Sequence, residues 1–83
     1  MSSYPVQFQD ITEVQDFVHF NEKCDFDILV NKGNYFVDGT SILGLLSLDL
    51  SSPVMVTAHC HPSDEAGYHS ALKEIFDRER AIA

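Results

Sequence analysis

The sequence predicts an α+β domain: an open-faced β-sandwich in which a four-stranded, antiparallel sheet carries two longer helices and one short helix on a single face. Three observations lead to this. Four stretches alternate apolar and polar residues in the manner of strands, and two longer segments repeat apolar residues at helical spacing. Their order is strand, helix, strand, strand, short helix, strand, helix, without repeat or linker. Each longer helix has one apolar stripe, so one sheet face covered from one side buries both.

Taken in order, Val6-Gln7-Phe8-Gln9 alternates as a half-buried strand. Asp10, with Glu13 three positions on, has capping-box spacing, so a helix begins at Ile11. Ile11, Val14, Phe17 and Val18 share its core face; Asp16, His19, Phe20 and Lys23 fall on the other side or its flanks, which gives Phe20 a route to exposure. Phe26, Ile28 and Val30 alternate with Asp27, Leu29 and Asn31 in a second strand, Asn31-Lys32-Gly33-Asn34 is a turn by composition, and Tyr35-Phe36-Val37 is the third strand. After Gly39, Thr40 or Ser41 caps a short helix that starts near Ile42, and Leu45, Leu46 and Leu48 complete the core. Ser51-Ser52-Pro53 breaks the chain. Val54 to Cys60 is the fourth strand, ended by Pro62, and Ser63 caps the last helix. Asp64 and Glu65 complement its dipole, Tyr68, Ala71, Leu72, Ile75 and Phe76 line its core face, and Arg78 and Arg80 sit favourably near its end.

A chain of 83 residues holds one domain, 1–83, with one modest core. Thirteen acidic residues against five basic ones give a net charge of −8, a field that repels phosphate backbones and anionic lipid heads, so neither nucleic acid nor a membrane surface is an expected partner. The apolar runs are short of a membrane span, and Met1-Ser2-Ser3-Tyr4-Pro5 lacks the basic start and apolar middle of a signal peptide. The expected location is the cytoplasm. Cys24 and Cys60 are too few for a disulfide scaffold and are read as free thiols.

The densest apolar run, Gly39-Thr40-Ser41-Ile42-Leu43-Gly44-Leu45-Leu46-Ser47-Leu48, resembles the segment around the regulatory serine of HPr, the small phosphocarrier of the bacterial sugar phosphotransferase system, in the form found in Gram-positive bacteria. The resemblance runs ungapped back to Phe17-Val18 and forward through Val54-Met55-Val56-Thr57-Ala58, about two thirds of the chain. It implies a sheet order of 1-4-2-3.

It also implies where chemistry should lie, and there the chain departs from the family. HPr carries phosphate on a histidine just before its first helix, in a Gly-Leu-His-x-Arg-Pro-Ala type motif; carried over without a gap, that histidine falls on Asp10 and the arginine on Thr12. An ionised Asp10 would fill a phosphate pocket with its own charge, and no Lys or Arg precedes Lys23. The bland role for Asp10 is a helix cap; the chemical one is an acyl-phosphate acceptor. Ser41 matches the serine that a dedicated kinase phosphorylates in the family, and it equally suits a plain cap. Ile42 and Leu43 match an exposed apolar pair used for partner docking, which Phe20 would extend.

His59-Cys60-His61 puts two imidazoles on one side of a strand and the thiol on the other: His59 and His61 on the open sheet face, Cys60 under the helices. Two converging ligands are too few for structural zinc unless the fold adds His19 or His69, so no metal or cofactor is expected. The leading expectation is a non-enzymatic HPr-like regulatory or docking protein, degenerate at Asp10 and Thr12, acting on protein partners of the phosphotransferase or carbon-regulation type. A phosphocarrier with a substituted acceptor and an HPr-fold interaction module with an unrelated partner are the alternatives.

Overall fold

A computed structural model describes residues 3–77, so Arg78 and Arg80 lie outside the described residues. The order is β1 (Ser3–Val6), α1 (Ile11–Glu22), β2 (Asp27–Lys32), β3 (Tyr35–Asp38), α2 (Ile42–Leu46), β4 (Val54–His59) and α3 (Pro62–Leu72), which continues as a π-helical turn, Lys73–Asp77. The strands form one antiparallel sheet in the order β1-β4-β2-β3. Architecture and strand order are those expected.

Strand parity builds the core. Val54, Val56 and Ala58 of β4 and Ile28 and Val30 of β2 are buried, while Met55, Thr57 and Leu29 between them are half exposed on the open face. Against the buried face pack Val14, Phe17 and Val18 of α1, Leu45 and Leu48, and Tyr68, Leu72 and Phe76 of the last helix. Phe8, Phe17 and Phe76 meet edge to face at 5.2–6.1 Å between ring centroids, an arrangement aromatic quadrupoles favour. Gly33, at φ +60, opens the two-residue turn between Lys32 and Tyr35, where a side chain would be strained.

The structure corrects several expectations. The first strand is Ser3–Val6, not Val6–Gln9: Pro5 is tolerated because β1 is an edge, and the ladder ends where the Gln7 amide turns to the Ser51 carbonyl at 2.8 Å. Phe8 is buried all the same. The fourth strand stops at His59, and His61, not Ser63, is the N-cap of α3, with Nδ1 accepting the Ser63 N–H at 3.3 Å and Pro62 in the first turn. Ile75 is exposed, because the wider i→i+5 turn rotates each residue less and carries it off the stripe that Leu72 and Phe76 keep. Ile11 and Leu46, both expected in the core, are exposed at element ends, the first residue of α1 and the last of α2.

Among the described residues no helix is long and apolar enough to cross a membrane.

Candidate docking surface

Two helix starts position the candidate residues. At α1, Asp10 is extended and its carboxylate accepts the Glu13 N–H at 3.0 Å, while the Glu13 carboxylate accepts the N–H of Gln9 at 2.8 Å. This is a capping box displaced by one residue at its return bond. Asp10 and Thr12 are both exposed. The Asp10 carboxylate is thus occupied in closing the helix.

At α2, Asp38 and Ser41 divide the labour. The Asp38 carboxylate accepts both the Thr40 hydroxyl at 2.6 Å and the Thr40 N–H at 2.8 Å, and these bonds, the hydroxyl first, hold its pKa below the usual carboxylate value. With Thr40 so engaged, Ser41 is the cap, accepting the Gly44 N–H at 3.1 Å. Ile42 is half buried against the core, whereas Leu43 is 81% exposed and Leu46, three residues on and so on the same side of the helix, is 41% exposed. The exposed apolar surface on α2 is therefore Leu43 and Leu46 rather than Ile42 and Leu43.

A buried polar chain behind this surface ties α2's entry to the other helices. The Asn21 amide donates to the Gly39 carbonyl at 2.8 Å, and the Tyr68 hydroxyl donates to the Asn21 side-chain oxygen at 2.6 Å. Asn21 is the one polar or charged residue among the fully buried described residues. Burial raises the Tyr68 pKa well above the ordinary phenolic value, with Cys24 adding to the shift. The approach at Gly39 leaves no room for a side chain: a Cβ there would lie 2.7 Å from Ile28 Cγ2. Sequence reading passed over Asn21, although it falls three and seven residues after Val18 and Val14 on the same buried stripe.

Phe20 does not extend the exposed patch. It is half buried, stacked on Tyr68 at 5.5 Å with an interplanar angle of 22°. The histidines do not converge: His59 is on the exposed sheet face, His61 caps α3, His19 lies 3.7 Å from Glu22 along α1, and His69 stacks on Tyr4 at 5.4 Å. Among the described residues no group of three or more His, Cys, Asp or Glu is arranged to hold a metal ion. Cys24 and Cys60 are free thiols, half buried, and burial together with neighbouring acids (Asp25 for the first, Asp64 and Glu65 for the second) raises their pKa. Cys60 packs against the core, on the helix side as expected, while His61 has left the sheet.

Between the start of α1 and the end of α2 lies a groove of about 240 Å³ lined by Phe8, Gln9, Asp10, Ile11, Val14, Leu46 and Leu50. Ile11, 54% exposed, and Leu46, 41% exposed, both line it.

No protein-family model and no curated protein matches the chain. Among solved structures it is similar to HPr-C-His from Thermoanaerobacter tengcongensis, with a TM-score of 0.75 and 25% sequence identity over 93% of this chain and 92% of that one. The fold is HPr-like.

Proposed function

We propose that this chain is a non-enzymatic docking and regulatory protein on an HPr-like fold, a divergent relative without the phosphocarrier histidine, acting in the bacterial cytoplasm. The observation that carries the reading is the contrast between its two helix starts. Asp10, onto which the ungapped sequence resemblance carries the acceptor histidine, is occupied as a cap, whereas Leu43 and Leu46 expose apolar surface beside Ser41. Isolated surface leucines mean little, but two on one face, with Ile11 lining the same groove as Leu46, form a patch worth desolvating. Its partners on this reading are proteins of the phosphotransferase or carbon-regulation type, not nucleic acid or membrane.

Ser41 is the regulatory point. Transfer of the ATP γ-phosphoryl group to its Oγ, with loss of ADP and of the hydroxyl proton, adds up to about two negative charges next to Leu43. Docking through the patch then depends on the phosphorylation state.

The test has two arms. Phosphoenolpyruvate with the general phosphotransferase enzyme is expected to leave His19, His59, His61 and His69 unmodified; a phosphohistidine at any of them, or a phosphate on Asp10, overturns the non-carrier assignment. An HPr-type serine kinase with ATP is expected to place phosphate on Ser41, mapped by mass spectrometry, and capture of a phosphotransferase or carbon-regulation partner is expected to drop for Leu43→Asp. If Ser41 stays unmodified and Leu43→Asp captures as wild type does, the regulatory reading fails.

A further inference from the structure

We infer, resting on the docking reading above, that Asn21 is a positioning residue for that surface: its amide, held by the Tyr68 hydroxyl, clamps the Gly39 corner and so fixes the pose in which α2 presents Ser41, Leu43 and Leu46. Hydrogen bonds hold the corner between β3 and α2 at each step. The Gly39 N–H donates to the Ile28 carbonyl at 2.8 Å, the Thr40 N–H to the Asp38 carboxylate at 2.8 Å and the Ser41 N–H to the Asp38 carbonyl at 3.1 Å. Those bonds come from β2 or from the corner itself. The bond from the Asn21 amide to the Gly39 carbonyl at 2.8 Å comes from α1, and through Tyr68 it reaches α3. With it, both polar groups of the Asp38–Gly39 and Gly39–Thr40 peptide units are bonded, which sets the direction in which the chain enters α2.

An amide suits this place because it carries a donor and an acceptor side by side. The Gly39 carbonyl only accepts, so the amide nitrogen must face it; the Asn21 oxygen then faces Tyr68, whose hydroxyl donates at 2.6 Å. Burial raises the Tyr68 pKa, so the hydroxyl keeps its proton and remains a donor. The packing is close: a Cβ at Gly39 would lie 3.0 Å from the Asn21 amide nitrogen as well as 2.7 Å from Ile28 Cγ2. Beyond the corner, the Ser41 hydroxyl accepts the Gly44 N–H at 3.1 Å and the Ser41 carbonyl accepts the Leu45 N–H at 3.0 Å, so these two amides report the pose of Ser41. At five residues, α2 is too short to hold its shape without anchors from outside it.

The experiment compares amide hydrogen exchange in wild type, Tyr68→Phe and Asn21→Ala, with Val6→Ala, a buried truncation on the opposite edge of the sheet from β3, as the control for lost stability alone. The readout is exchange at Gly44 and Leu45 relative to Val56 in the inner strand β4. Lost global stability speeds amides that open only with the whole domain, whereas a released corner speeds those of α2 by local opening. Tyr68→Phe and Asn21→Ala are expected to speed Gly44 and Leu45 at least about fivefold more than Val56, the low end of what leaving one buried polar group unpaired costs. Val6→Ala is expected to speed Val56 at least as much as Gly44 and Leu45. Equal acceleration at α2 and Val56 in Tyr68→Phe, none at Gly44 and Leu45, or the same excess at α2 in Val6→Ala overturns the assignment. Should Asn21→Ala fail to fold, Tyr68→Phe decides alone. Partner capture is scored apart: capture undiminished in Leu43→Asp, with exchange as expected, refutes the docking reading and upholds the hold of Asn21 on α2.

Discussion

Replacing Asn21 by Ala should destabilise this domain more than any surface change described above. The side chain makes two buried hydrogen bonds, to Gly39 at 2.8 Å and from Tyr68 at 2.6 Å, and removing it strands a carbonyl and a hydroxyl where Tyr68 is 3% exposed. Each orphaned group costs about 1–3 kcal/mol, hence about 2–6 kcal/mol together. A chain of 83 residues has about 4–12 kcal/mol to lose at 0.05–0.15 kcal/mol per residue. Asn21→Ala is therefore expected to lower Tm by at least about 8 °C, read by circular dichroism at fixed concentration. Tyr68→Phe alone strands only the Asn21 oxygen and should cost about 1–3 kcal/mol. Because the two substitutions break one shared bond, the double variant should fall short of their sum by about 0.5–3 kcal/mol. A Tm within about 3 °C of wild type for Asn21→Ala, or strict additivity in the cycle, would show that the chain of bonds carries no stability.

Three further outcomes are expected. Gly39→Ala drives a methyl to 2.7 Å from Ile28 Cγ2 and 2.8 Å from Ile28 Cβ, so chemical denaturation should show a loss of about 1–3 kcal/mol; an unchanged midpoint would mean that the corner relaxes freely. Ser41→Ala removes the acceptor for the Gly44 N–H and should cost about 1 kcal/mol, small enough that the variant remains a folded control for phosphorylation. Tyr68 gives a pH signature: its folded pKa is raised above the ordinary 10.0, so the folded state holds a proton that the unfolded state releases. Its contribution is fully present below pH 10 and falls above it, by up to about 1.4 kcal/mol per pH unit, and Tyr68→Phe should lack that part of the alkaline slope. Equal slopes for the two proteins would refute the assignment.

The sequence by itself determined the order of elements, the sheet's buried parity at Ile28, Val30, Val54, Val56 and Ala58, and the cap at Asp10, because caps and alternation depend on residues a few positions apart, while the choice of Ser41 over Thr40 at α2 came from the bonds that Thr40 makes to Asp38. What tertiary structure decided was which apolar residues remain uncovered. Ile11 and Leu46 have the right periodicity for burial, but they lie at element ends, and periodicity names a face without saying how far the neighbouring layer reaches along it. Phe20, on the flank of its helix, is half covered because Tyr68 arrives from a helix 48 residues later in the chain. Asn21 is polar and reads as solvated; only the convergence of the Gly39 corner and Tyr68 gives it two partners and makes its burial tolerable. His61 became a cap rather than a strand residue because Pro62 suits the first turn of a helix as well as the end of a strand, and the sheet's register had already ended at His59. Local signals specify what a segment can form; the groove, the exposed leucines and the buried amide depend on where segments distant in the chain stop covering one another.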